Sequence, residues 1–157
     1  MKTYRQGLRS EPERHDFFAA LREFERSTPD RPRIGDGKVP SEDVVVLGQD
    51  PFLAFPDTNV AGYEDRKSGA PRIATRFLGF FGPQGALPLT TTVDAFRWLS
   101  HNDPSFARFT DIFASRFQQL FYRAWADARP IAQYERPAQD RFFRYVGSVA
   151  GIGSEPY

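Results

Sequence analysis

The chain has 157 residues, 21 basic and 20 acidic side chains, a net charge of +1 and no cysteine. That composition excludes a disulfide framework and a thiolate metal site, and it carries no charge bias toward nucleic acid or an anionic membrane. No apolar run approaches membrane-spanning length, and the opening MKTYRQGLRSEPERH lacks the apolar segment of a signal peptide. The length fits one domain spanning 1–157, or half of something larger. Aromatics make up 15% of residues and 16 of them are Phe, side chains that serve cores and interfaces equally well.

Residues 1–9 are basic and polar and are expected to be flexible, frayed or docked elsewhere. Ser10 and Glu13 form a capping-box pattern that predicts a helix to about Ser27, with Phe17, Leu21 and Phe24 on one face. Pro29 to Asp43 is loop by its Pro, Gly and charge content. Val44–Gln49 predicts a short strand, Phe52–Phe55 a second, 56–70 a loop, and Arg72–Phe81 the longest strand. Gly82-Pro83-Gln84-Gly85 is a tight turn. Thr91 and Asp94 open a short helix closed by His101-Asn102.

The dominant element runs from Asp103 to Ala128, with Asp103 as cap, Pro104 at the first helical position and Pro130 beyond its end. At ~100° per residue, Phe106, Phe109, Phe113, Phe117, Leu120, Phe121 and Ala124 share one face. Arg108, Asp111, Ser115, Gln118 and Gln119 form a polar back, from which Tyr122 and Trp125 project. After a spacer, IAQYER, Pro137 opens a last helix presenting Phe142, Tyr145, Val146 and Val149, and Gly147, Gly151 and Gly153 loosen its end. These elements predict an α+β fold: several helices, one of them long and amphipathic, with a small antiparallel sheet of short strands.

No constellation of catalytic residues emerges. His15 and His101 each lack a second ligand at metal spacing and read as solvated. The glycines at 79, 82 and 85 miss the spacing of a phosphate loop, and Pro83 removes a donor. Ser115 has no histidine partner in the helix. Asp111, Asp127 and Asp140 lie beside arginines and read as solvated ion pairs. No cofactor and no metal is expected. Arg116 and Arg123 flank the Phe stripe, where they either snorkel or pair with carboxylates of another chain or a neighbouring segment. Tyr122 and Trp125 are either packed by the last helix or exposed to a partner. The residues expected at an interface are therefore Tyr122, Trp125, Arg116, Arg123 and the turn Gly82, Pro83, Gln84 and Gly85.

Five segments in one order resemble the TssG family (also ImpH or VasB), a baseplate subunit of the bacterial type VI secretion system. They are Asp16–Arg22; Leu47–Phe55, similar to "GQ(E/D)P…LAF"; Phe77–Leu89, similar to "GLFGPNGPLPL"; Phe109–Phe113 with Leu120–Trp125, similar to "FLDIF…LFYRAW"; and Asp140–Tyr145 with Gly151–Gly153. Ser115 departs from the family, which commonly has His there. The resemblance implies that the chain corresponds to the N-terminal half of such a subunit. It further implies a non-enzymatic scaffold joining two TssF-like copies with TssK-like and TssE-like subunits, in a cytoplasmic wedge held at the inner membrane through its partners. The competing expectation from the residues alone is a self-contained module that binds a peptide or ligand in a Phe-lined groove.

Overall fold

The computed structural model describes residues 2–152; Gly153 of the expected helix end and residues 154–157 lie outside the described residues. Among the described residues, six α-helices accompany a three-stranded sheet: α1 (Lys2–Ser10), α2 (Phe17–Arg26), β1 (Val46–Gly48), β2 (Val60–Glu64), β3 (Arg72–Thr75), α3 (Leu89–Ser100), α4 (Ser105–Asp127), α5 (Pro130–Tyr134) and α6 (Arg141–Val149). The α+β class expected from the sequence is the one observed.

The sheet order is β1-β3-β2. β3 pairs antiparallel with β2 and parallel with β1, so the sheet is mixed and not the antiparallel one expected. Across it, Val46, Arg72 and Glu64 form one row, and Leu47, Ile73 and Tyr63 the next. Successive rows point to opposite faces. The second row enters the main core with Leu8, Phe17, Leu21, Phe24, Val45, Val60 and Tyr122. A smaller core of Phe81, Ala95 and Ala107 joins α3 to α4.

Several boundaries differ from expectation for identifiable reasons. Residues 2–10 form a helix whose Leu8 is fully buried, so this segment is built into the fold. Ser10 therefore ends a helix instead of capping one. The cap of α2 is Asp16, which accepts a hydrogen bond from the Ala19 N–H at 3.0 Å. Phe52–Phe55 is not a strand: Pro51 and Pro56 flank it and Phe55 is exposed. β2 lies inside the expected loop, hidden by Gly62 and by a bulge between Val60 and Gly62. β3 stops at Thr75, and the chain then turns through Leu78 at φ 46°. α3 begins at Leu89 without a side-chain cap, so the Thr91 box is not its start. The spacer after Pro130 is the short helix α5, and α6 is capped by Asp140, not opened by Pro137.

Candidate interaction surface

The long helix is inverted relative to its hydrophobic pattern. Its buried residues are Ala107, Thr110, Asp111, Ala114, Gln118, Gln119, Tyr122 and Ala126, which is the face that reads as polar. The Phe stripe points outward: Phe109, Ile112, Phe113, Phe117, Leu120 and Phe121 are 43–66% exposed.

The cause lies in strand β1. It is a sheet edge, and the N–H groups of Leu47 and Gln49 point away from β3. A helix advances ~6 Å over four residues and a strand ~6.6 Å over two. Side chains at i and i+4 of α4 therefore match alternate N–H groups of β1. The Ser115 hydroxyl accepts from Leu47 N–H at 3.3 Å, and the Asp111 carboxylate accepts from Gln49 N–H at 2.8 Å. The polar face of α4 stands in for a fourth strand.

Asp111 does more than cap the edge. Its second oxygen accepts from Arg72 at 2.9 and 3.1 Å and from Arg108 at 3.2 Å, and Asp50 accepts from the same two arginines at 3.0–3.2 Å. Arg72 and Asp111 have side chains only 6% and 8% exposed. The expectation of a solvated ion pair at Asp111 is thus corrected. Asp140, the cap of α6, is likewise buried, while Asp127 is half-buried between Arg123 and Arg141. A Cβ at Gly48 would sit 2.5 Å from the Asp111 carboxylate, which is why this strand position carries no side chain.

The segment around Gln49 is equally constrained. Its side-chain amide brackets Phe81, donating to the carbonyl at 3.0 Å and accepting from the N–H at 2.7 Å. Gln118 donates to Thr75 Oγ1 at 2.7 Å and to the carbonyls of Phe77 and Leu78. These bonds hold the 76–85 loop beside the Phe stripe, where Phe80 meets Phe113 and Phe117 at ring distances of 6.5 Å. Phe77 meets Phe121 at 6.0 Å, and Phe121 meets Phe18 at 5.6 Å. The result is an aromatic ridge along α4, beside a small cavity of about 80 Å³ lined by Phe52, Phe77 and Phe81.

The residues expected at an interface divide between core and surface. Tyr122 is fully buried and its hydroxyl donates to Glu25 at 3.0 Å, so the structure corrects its placement from off-core to core. Trp125 is half-buried and stacked on Phe18 of α2 at 4.6 Å. Arg123 pairs with Asp36 at 3.2 Å and Asp127 at 3.4 Å, which are carboxylates of its own chain. Arg116 is exposed and donates to the Gly35 carbonyl at 3.1 Å. Pro83 and Gln84 form the exposed tip of the turn. Gly82 is buried at φ 97°, where a Cβ would collide with the Phe52 ring. The Phe stripe and α6 are exposed surface that was not among the residues expected at the interface. The signal that could have revealed it is the run of hydrogen-bonding residues at 111, 115 and 118 opposite that stripe.

α6 adds a second apolar surface. None of its residues is buried, and Phe142, Phe143, Tyr145, Val146 and Val149 are 48–93% exposed. A cavity of about 880 Å³ lies between α4, the 36–43 loop and the first row of the sheet, and its walls are charged and aliphatic, with no Phe. Among the described residues, no helix is long and apolar enough to cross a membrane, and no three His, Cys, Asp or Glu side chains group to hold a metal.

The family model described as "Type VI secretion, TssG" matches residues 11–156. The chain belongs to the TssG family. It is accordingly a component of the type VI secretion baseplate, a family of structural proteins. No curated protein and no solved structure matches it. Three of the TssG-like segments, Leu47–Phe55, Phe77–Leu89 and the α4 segment, fall on constrained parts of the fold. The Gly48-Gln49-Asp50 stretch caps, brackets and pairs as described above, and Phe109–Phe113 with Leu120–Trp125 is α4 itself.

Tyr122 offers a test of the inverted helix. Burial, and next the Glu25 carboxylate, holds its phenol far above the ordinary value of about 10. A raised folded-state value means that the folded chain retains a proton the unfolded chain loses, so this contribution to stability is lost as pH rises past about 10. Tyr122→Phe is expected to cost about 1–2 kcal/mol at neutral pH through the lost Glu25 bond. It should also flatten the loss of stability above about pH 10 in urea titrations, leaving the smaller slope from Tyr4, whose phenol is raised too. An unchanged alkaline slope would place Tyr122 in solvent.

Proposed function

We propose that this TssG family member is a scaffold subunit of the baseplate wedge, working by geometry and without catalysis. Its α4 ridge is covered by a TssF-like subunit, and the chain joins two such copies with TssK-like and TssE-like subunits in a cytoplasmic platform for contractile tail assembly. The observation that carries this reading is the outward Phe stripe. A half-exposed large apolar side chain contributes about 100 Å², so the six residues at 43–66% exposure present about 600 Å². That reaches the upper end of the largest apolar patches of ordinary monomers and approaches one side of a standard interface. Trp125, Arg116 and the Pro83-Gln84 tip lie around this ridge and extend the proposed contact; Tyr122 and Arg123 support it from within.

The test is co-expression with the TssF-like subunit, followed by size-exclusion chromatography with mass determination. A complex of defined mass is expected for the natural sequence, and Phe113→Glu with Phe117→Glu should abolish it. Both residues point to solvent, so the paired variant should keep its helical circular dichroism. A complex that survives the double substitution would remove the ridge from the interface. The module reading, a Phe-lined groove, has less support: the cavity beside α4 has no Phe in its walls, and the cavity lined by Phe52, Phe77 and Phe81 is only about 80 Å³, far below the roughly 300 Å³ of a ligand site.

A further inference from the structure

The cavity beside α4 has an uneven charge balance. Among its cations, Arg72 and Arg108 are consumed by Asp50, Asp111 and, at 3.9 Å, Glu64. Lys38, Arg66 and Arg116 have no carboxylate within ion-pair distance among the described residues. Among its carboxylates, Asp36 is taken by Arg123, and Asp111 and Glu64 by the arginines already named. That leaves Asp43, whose carboxyl is pushed up by burial against the opposing pull of Gln119 and Arg116. Three cations without an ion-pair partner therefore face one remaining carboxylate, Asp43.

The walls between them are apolar. Val39 is 48% exposed and Ile112 66% exposed, with Pro40 beside them. Ile112 belongs at once to this cavity and to the outward stripe of α4. A small free anion would use the cations and leave these apolar walls wet. A polypeptide segment carrying both carboxylates and apolar side chains would use both, and it could run without interruption onto the Phe ridge.

The geometry points to this cavity as the docking site for an acidic, apolar-containing segment of the protein that covers α4. Lys38, Arg66 and Arg116 bind its carboxylates, and Val39, Pro40 and Ile112 its apolar side chains. This assignment rests on the scaffold reading for the source of the segment, but its chemistry is testable without the partner.

The probe is a fluorescein-labelled peptide of alternating Glu and Leu, titrated with the full chain and read by anisotropy, with inorganic phosphate and ATP as competitors. Saturable binding is expected, weakened at least about tenfold by Lys38→Gln, Arg66→Gln and Arg116→Gln together, and several-fold between 50 and 500 mM salt. Phe117→Gln, outside the cavity and adding no charge, should leave the peptide affinity unchanged while it weakens the TssF-like complex, so that the two readings fail separately. The three exposed residues should change without loss of fold, which circular dichroism and a urea titration check; Arg116→Lys should restore part of the affinity. No saturable peptide binding, or binding indifferent to the three substitutions, overturns the assignment. Displacement of the peptide by phosphate or ATP at equal concentration also overturns it, in favour of a small-anion site.

Discussion

Asp111→Ala is expected to destabilise the chain by about 3 kcal/mol. Breaking a buried ion pair costs about 3–5 kcal/mol because the surviving charge stays buried. Arg72 keeps Asp50 at 3.0 Å, and the Asp50 side chain is 38% exposed, so the lower end of that range applies. The Gln49 N–H also loses its acceptor and the edge of β1 is uncapped. For a domain of this size the loss corresponds to roughly 6–12 °C in Tm. Asp111→Asn separates the two effects, since the amide oxygen can still accept from Gln49 while the charge is gone; it should cost less than the alanine variant. Urea titrations of both variants measure the difference. Two variants within 0.5 kcal/mol of the parent, an order-of-magnitude threshold for surface substitutions, would mean that α4 is not docked through this carboxylate.

Glu25→Ala is expected to be at least as damaging, at about 3–5 kcal/mol. Glu25 lies in α2 and is 4% exposed. One carboxylate oxygen accepts from Ile34 N–H at 3.0 Å and from Arg33 at 3.3 Å, and the other from Tyr122 at 3.0 Å. It thereby ties α2, the 29–43 loop and α4 together. Removing it leaves Arg33, with a side chain 1% exposed, holding only the Ala132 carbonyl at 3.2 Å. The double substitution Glu25→Leu with Arg33→Met removes both charges. It should be less destabilising than the sum of the single changes, because neither partner is then left uncompensated. An additive cycle would show that the two side chains do not meet. The variant has a functional corollary as well: loosening the 29–43 loop should widen the cavity beside α4, since Asp36, Val39 and Asp43 line it.

How far the sequence could be read depends on the range of the interaction concerned. α4 was legible because its cause is local: a 3.6-residue periodicity sustained over six turns, flanked by prolines. The β2 strand was not, because Gly62 and a bulge weaken its alternation, and its pairing with β3 supplies the order that its own residues lack. The capping box at Ser10 and Glu13 satisfies a local rule, yet Asp16 sits three residues before the Ala19 N–H that it caps. Both candidates obey the same chemistry, and packing of Leu8 and Phe17 into one core selects between them. The α6 cap, Asp140 to the Phe143 N–H at 2.9 Å, has the same local form, and in sequence it competes with Pro137 as a start signal.

The candidate surface shows the larger separation. Periodicity states that α4 has two unlike faces, but not which one meets the rest of the chain. The usual inference places the apolar face inside. Here Leu47 and Gln49, more than sixty residues away in sequence, present unpaired N–H groups that only the polar face can satisfy, and Arg72 requires a buried counter-charge there. By itself the sequence determined the helix, its aromatic stripe, the absence of cysteine chemistry and the ordered segments that resemble TssG. Only the tertiary structure decided that the stripe faces outward, that Tyr122 and Asp111 are interior, and that Arg123 spends its charge within the chain. The reason is that an unpaired strand edge and a buried arginine cost more than a half-exposed phenylalanine, and neither demand is visible until distant segments are brought together.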